Sequence, residues 1–230
     1  YSEKGYPASA IIESLMTILN SNYEEWRDNH PDASFLEFNF DPKKVGTSGA
    51  LYDLEKLDNI SKNIISKMSA TDLFERLLKY TEEYDVDFNK LLSENRDYTI
   101  SILNIEREIE KPRKDYACLS DIKPNIYYMF PELFKAENYE WGRVTEIDEI
   151  KNIVNTYIDK YYDALDDKDT WFNKIKGLTE ELGYASNMKD YKKNPEMYKG
   201  NVADISTVIR VSLTTKSRTP DLYDIMRILG

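Results

Sequence analysis

Side chains able to carry nucleophilic or metal chemistry are nearly absent: the 230 residues include one His, His30, and one Cys, Cys118. A Ser/His/Asp or Cys/His centre, a zinc protease or a His/Cys metal cluster would have to be built from those two alone, and a tetrahedral structural zinc site is not possible. His30 lies in Asn29-His30-Pro31, beside a helix breaker, and reads as a turn residue. Cys118 has no partner to activate it, so a buried or idle thiol is expected. Asp163, Asp166, Asp167 and Asp169 cluster, but the Gly of an EF-hand turn and the Glu at loop position 12 are missing. A helix cap at Asp167 or Asp169 is the expected role. Neither Gly-x-x-x-x-Gly-Lys-Ser/Thr nor Gly-x-Gly-x-x-Gly occurs, so both common phosphate turns are missing. No catalytic residue, metal ligand or cofactor is expected within the chain itself.

One turn offers a different chemistry. Arg210 stands on a helix-patterned segment that runs into Thr214-Thr215-Lys216-Ser217-Arg218-Thr219-Pro220, and a second helical pattern follows with Pro220 at its expected first position. Such a junction leaves backbone N–H groups and a positive helix end facing outward, beside Lys216, Arg218 and several hydroxyls. Unstacked RNA bases are read by such mixtures of Arg planes, backbone groups and short polar side chains. On these grounds alone an ordinary interhelical turn fits the residues at least as well.

The elements that must position this turn read as all-α. Gly is scarce, at 8 residues, and apolar residues recur mostly at helical spacing. Helices are expected from Pro7 to Asn20, briefly around Trp26, from about 53 to 66, from Ser69 with Asp72 as a capping pair, and from 87 to 110 with Pro112 closing it. Residues 111 to 142 are irregular, aromatic-rich and hold three prolines, the best candidate for a boundary. Helices follow at about 146 to 165, 169 to 182, 202 to 213 and 220 to 229.

Charge is uneven along the chain. The total is −11, yet residues 189 to 230 hold eight basic against five acidic side chains, a balance of +3, leaving −14 on the other 188. Bulk acidity argues against unspecific binding to nucleic acid or anionic membranes, so any polyanion contact must be local. One cysteine suits a reducing, cytoplasmic compartment, and no window approaches the ~18 apolar residues of a membrane span. A start at Tyr1, without a targeting signal, suggests a piece of a longer protein.

Two stretches, in this order, resemble the C-terminal half of bacterial glutamyl-tRNA synthetase. The first is Phe40-Asp41-Pro42-Lys43-Lys44-Val45-Gly46-Thr47-Ser48-Gly49-Ala50-Leu51-Tyr52-Asp53-Leu54-Glu55-Lys56-Leu57, continued by Ile65-Ser66-Lys67-Met68-Ser69. The second is Val208-Ile209-Arg210-Val211-Ser212-Leu213-Thr214-Thr215-Lys216-Ser217-Arg218-Thr219-Pro220-Asp221-Leu222-Tyr223-Asp224-Ile225. Lys67-Met68-Ser69 also looks like the start of a class I synthetase Lys-Met-Ser-Lys-Ser loop. Ala70 and Thr71 follow, the second Lys is absent, and Ser69 reads as a helix cap. Thr215 stands where the family usually has Gly, and residues 184 to 204 exceed the usual connection.

The resemblance implies a stem-contacting region over 1–66, a first helical anticodon-binding subdomain over 67–135 and a C-terminal one of α-helix-cage type over 136–230. By matching position, Arg210, Thr219, Pro220 and Leu222 would meet anticodon bases, and Arg113 would meet the third. Lys43, Lys44, Ser48, Lys216 and Arg218 would touch stem or backbone. The implied partner is tRNA(Glu), bound by a monomer without membrane contact; the parent enzyme would use ATP and Mg²⁺ through a catalytic domain elsewhere, and this piece should not charge tRNA. The rival expectation is a helical module that binds a protein through Tyr-rich faces and never meets RNA.

Overall fold

The computed structural model describes residues 1–45 and 51–230, and among these it is all-α: twelve α-helices, short 3-10 turns and one isolated bridge pair, Ala185 with Asn201. Ser48, with Gly46 and Gly49, lies outside the described residues. Among those described, no helix is long and apolar enough to cross a membrane. The chain forms two compact units, 1–124 and 125–230, and the junction falls within the irregular 111–142 stretch.

In the first unit, α1 (Ala8–Leu19), α2 (Tyr23–Asn29) and α3 (Leu54–Ser66) precede α4 (Ala70–Tyr84), α5 (Val86–Glu94) and α6 (Arg96–Leu103). Helix α1 packs on α3, and α4 packs on both α5 and α6. Asp53 caps α3 and Ser69 caps α4, each accepting from backbone N–H groups of the first turn. Leu57 and Ile65 of α3, and Leu73, Phe74 and Leu77 of α4, are almost fully buried at helical spacing. The single helix expected over 87–110 is two helices, with its last turn replaced by irregular chain. Asn95 breaks it because its amide donates to the Leu91 carbonyl at 2.9 Å, an alternative to helix propagation, and Glu106 then turns with φ +52°. Pro112 therefore lies beyond the helix rather than closing it.

Helix α7 (Ile122–Ile126) spans the junction. The second unit continues with α8 (Ile147–Thr156), α9 (Lys168–Glu181), α10 (Met188–Lys193), α11 (Val202–Thr214) and α12 (Leu222–Leu229). Helix α8 was expected to reach residue 165, but it widens into a π-turn over Tyr157–Tyr161 and stops. The wider turn seats Tyr157 in the core, where its phenol oxygen accepts from Trp171 Nε1 at 3.0 Å. Burial lifts the Tyr157 phenol to about 12, so it stays protonated.

Helix α11 packs on α8 and α9. Its β-branched residues are modest helix formers, yet Ile205, Val208, Ile209 and Val211 are all buried. At about 1.5–3 kcal/mol for each fully buried aliphatic side chain, packing outweighs propensity there. Asn201 starts the helix with a reciprocal capping box through Asp204. The C-terminal end of α11 leads straight into the turn identified from sequence.

Candidate nucleic-acid interface

The segment between α11 and α12 is held at both ends by side chains of its own unit. Helix α11 ends at Thr215, whose φ of +62° is the left-handed conformation that glycine adopts most easily. This is the position where the sequence carries Thr in place of the expected Gly, so a β-branched residue occupies strained backbone. The Thr215 N–H donates to the Val211 carbonyl at 2.8 Å, closing the helix. Thr214 Oγ1 donates to the Arg210 carbonyl at 2.8 Å and accepts from the Lys216 N–H at 3.1 Å. Thr214 and Thr215 are buried, with Thr215 1% exposed.

Two groups from the chain between α7 and α8 grip this end. The Tyr127 phenol donates to the Thr214 carbonyl at 3.2 Å and bonds the Thr215 hydroxyl. The Glu140 N–H donates to the Thr215 carbonyl at 2.9 Å. Its carboxylate accepts from both the N–H and the hydroxyl of Ser217, each at 2.9 Å, and pairs with Lys216 Nζ at 3.3 Å. The Ser217 N–H, then its hydroxyl and the Lys216 ammonium, hold the Glu140 carboxyl below the usual carboxylate range.

The other end is braced by Arg210. Its Nη1 donates to the Pro220 carbonyl at 2.8 Å, to the Thr219 carbonyl at 3.4 Å and to the Thr219 hydroxyl. Helix α12 begins at Leu222, two residues later than expected, because Asp221 takes the N-cap by accepting from the Asp224 N–H at 3.1 Å. Pro220 is therefore a loop residue, and its carbonyl faces Arg210 instead of entering the helix. Lys168 at the start of α9 pairs with Asp221 at 2.9 Å, tying down the same corner.

The structure thus brings Arg210, Thr219 and Pro220 into one cluster, with Lys216 half-buried and Arg218 exposed on the same loop. Leu222 departs from that surface: its side chain is 3% exposed and belongs to the unit's hydrophobic core. Arg113 lies in the first unit, forked onto Asp115 through Nε and Nη2 at 2.8 Å each, with Glu106 at 3.6 Å. The bonds to Asp115 raise its pKa. Lys43 and Lys44 are exposed on a 3-10 turn that Asp41 caps, and Ser48 lies outside the described residues. Lys67 donates to the Pro31 carbonyl and the Asp32 carboxylate at 2.7 Å each, and Ser69 serves as the cap expected of it.

The chain matches no family model. It is 45% identical over 230 residues to a glutamate–tRNA ligase of Acetivibrio thermocellus, covering all of this chain and 42% of that protein. It is 42% identical over 233 residues to one of Clostridium perfringens, again covering 42% of it, and 32% identical over 231 residues to one of Sorangium cellulosum. Over its full length the chain is similar to the C-terminal part of glutamate–tRNA ligases. It spans about two-fifths of the length of the ligases it matches.

Tyr127 and Glu140, the two side chains that fix the strained end of the loop in this ligase-like region, were not singled out by sequence. Their partners lie 88 and 77 residues away, and neither sits in a local pattern that marks it.

Proposed function

We propose that the chain is the tRNA(Glu)-binding, anticodon-reading region of a glutamate–tRNA ligase. The observation that carries this reading is the 214–220 loop, where Arg210, Thr219 and Pro220 converge at the most cationic end of an acidic chain. A guanidinium and a hydroxyl suit the polar edges of bases, and a proline ring suits an apolar face. Leu222 acts from beneath, anchoring the first turn of α12 in the core. Lys216 and Arg218 meet phosphates of the same RNA segment, Arg113 meets the third anticodon base, and Lys43, Lys44 and Ser48 touch the stem. Base contacts need few cations, and the acidic remainder discourages unspecific polyanion binding.

In the whole protein, a catalytic domain elsewhere attaches glutamate to tRNA(Glu) with ATP and Mg²⁺ in the cytoplasm. The 230 residues alone bind as a monomer and do not charge tRNA. Chemical footprinting of tRNA(Glu) tests the reading: the chain should protect the anticodon bases, and protection confined to the acceptor end, or none at all, would overturn it.

A further inference from the structure

Glu140 is an acid at the edge of a loop that, on the reading above, meets RNA. Over a Debye length of ~8 Å its charge repels phosphate, so electrostatics toward the ligand does not account for it. The backbone beside it does. Thr215 is β-branched and left-handed at φ +62°, a conformation that persists where the surroundings over-determine it. Five bonds do so from outside the helix and loop: Tyr127 to the Thr214 carbonyl and to the Thr215 hydroxyl, the Glu140 N–H to the Thr215 carbonyl, and both the N–H and the hydroxyl of Ser217 to the Glu140 carboxylate.

We propose that Glu140, assisted by Tyr127, is a positioning residue for base recognition: it straps the Thr214–Ser217 end of the loop so that the Arg210–Thr219–Pro220 end is presented in one conformation. The inference rests on the loop being the RNA-reading element, and adds a residue outside the loop that sets its specificity. A loop already held in its binding shape loses less freedom on association, which raises affinity for the RNA that fits and not for one that does not. The carboxylate also occupies donors that a phosphate would take. A phosphate arriving there would compete with the carboxylate for the Ser217 and Lys216 donors.

Two variants of the 230-residue chain test this. Glu140→Ala removes the acceptor; Glu140→Gln keeps an acceptor for Ser217 and loses the charge. In the free protein, amide hydrogen exchange at Ser217 should quicken in Glu140→Ala and lie between it and wild type in Glu140→Gln, with the thermal midpoint little changed. Affinity of Glu140→Ala for tRNA(Glu) should fall about tenfold, affinity for an anticodon-swapped tRNA should hold, and Glu140→Gln should recover most of the loss. Unchanged exchange at Ser217 overturns the strap. Tighter binding with a steeper salt dependence overturns it in favour of a phosphate stand-in. Should exchange quicken while wild type binds both tRNAs equally, the strap stands as structure but its recognition role falls, together with the anticodon reading.

Discussion

Arg210 and Arg113 are both half-buried arginines, one in each compact unit, and they make different bonds. Arg113 is forked onto the two oxygens of Asp115, the geometry a guanidinium would use on a base edge, with Glu106 behind it. Arg210 turns Nη1 to carbonyl and hydroxyl oxygens of the loop it serves. To read a base, Arg113 must exchange a carboxylate for the RNA, and the broken ion pair offsets much of what the base edge returns. The bonds Arg210 makes at Nη1 join Thr219 and Pro220 of its own loop, so they also shape that loop. The same residue type is thus forked onto a carboxylate in one unit and bonded to carbonyl and hydroxyl oxygens of a loop in the other.

Predictions that would break or sharpen this contrast run from the cores outward. Phe74→Ala in the unit of Arg113 should cost about 3–5 kcal/mol of unfolding free energy, and Ile205→Ala in the unit of Arg210 about 2–5 kcal/mol. Urea unfolding measures both, and a loss below about 1 kcal/mol would contradict the packing assigned to that unit. Next comes the direct comparison by tRNA titration. Arg210→Ala should weaken tRNA(Glu) binding by about 1–3 kcal/mol, by analogy with base-edge contacts in DNA. Arg113→Ala should cost less, about 1 kcal/mol at most, because Asp115 and Glu106 already compensate it. The reverse order would break the contrast.

Thr215 sharpens it on the scale of about 1 kcal/mol. Thr215→Gly relieves left-handed strain while losing the hydroxyl bond, two effects of about 1 kcal/mol each and opposite sign. Thr215→Val keeps the strain and loses the bond, so it should be the less stable of the two in denaturant; a Val variant equal to the Gly variant would contradict the strain. The smallest effect is that of pH. Glu140 has a lowered pKa, so the clamp is fully present above the ordinary glutamate value of about 4.3 and is lost as pH falls through the lowered one. Amide shifts of Ser217 should be flat above pH ~5 and move only below ~4; movement centred near pH 6 would exclude Glu140 as the group responsible.

Much of this was legible in sequence where the determining contacts are local. Ser69 and Asp167 each cap a helix within three residues, as their spacing indicated, and Asp53 caps the helix expected from about residue 53. The helix expected at about 202 to 213 is α11, and the ordering of Arg210, Thr219 and Pro220 placed the loop. What was not legible depends on distant or competing partners. The break at Asn95 comes from a side-chain amide outbidding the helix, and the π-turn at Tyr157 follows from a bond to Trp171 in another helix. The two-residue shift of α12 arises because Asp221 caps better than Pro220 starts. Glu140 and Tyr127 lay furthest out of reach, since only the folded unit brings them to Ser217 and Thr215.

The most direct measurement is a pair of titrations of the unmodified chain, with tRNA(Glu) and with the same tRNA carrying a swapped anticodon, each at low and moderate salt. The expected result is tighter binding of tRNA(Glu) at both salt concentrations, with absolute affinities falling as salt rises but the ratio between the two RNAs largely kept. Equal affinity for both, or no binding to either, would contradict the assignment of the Arg210–Thr219–Pro220 loop to anticodon reading.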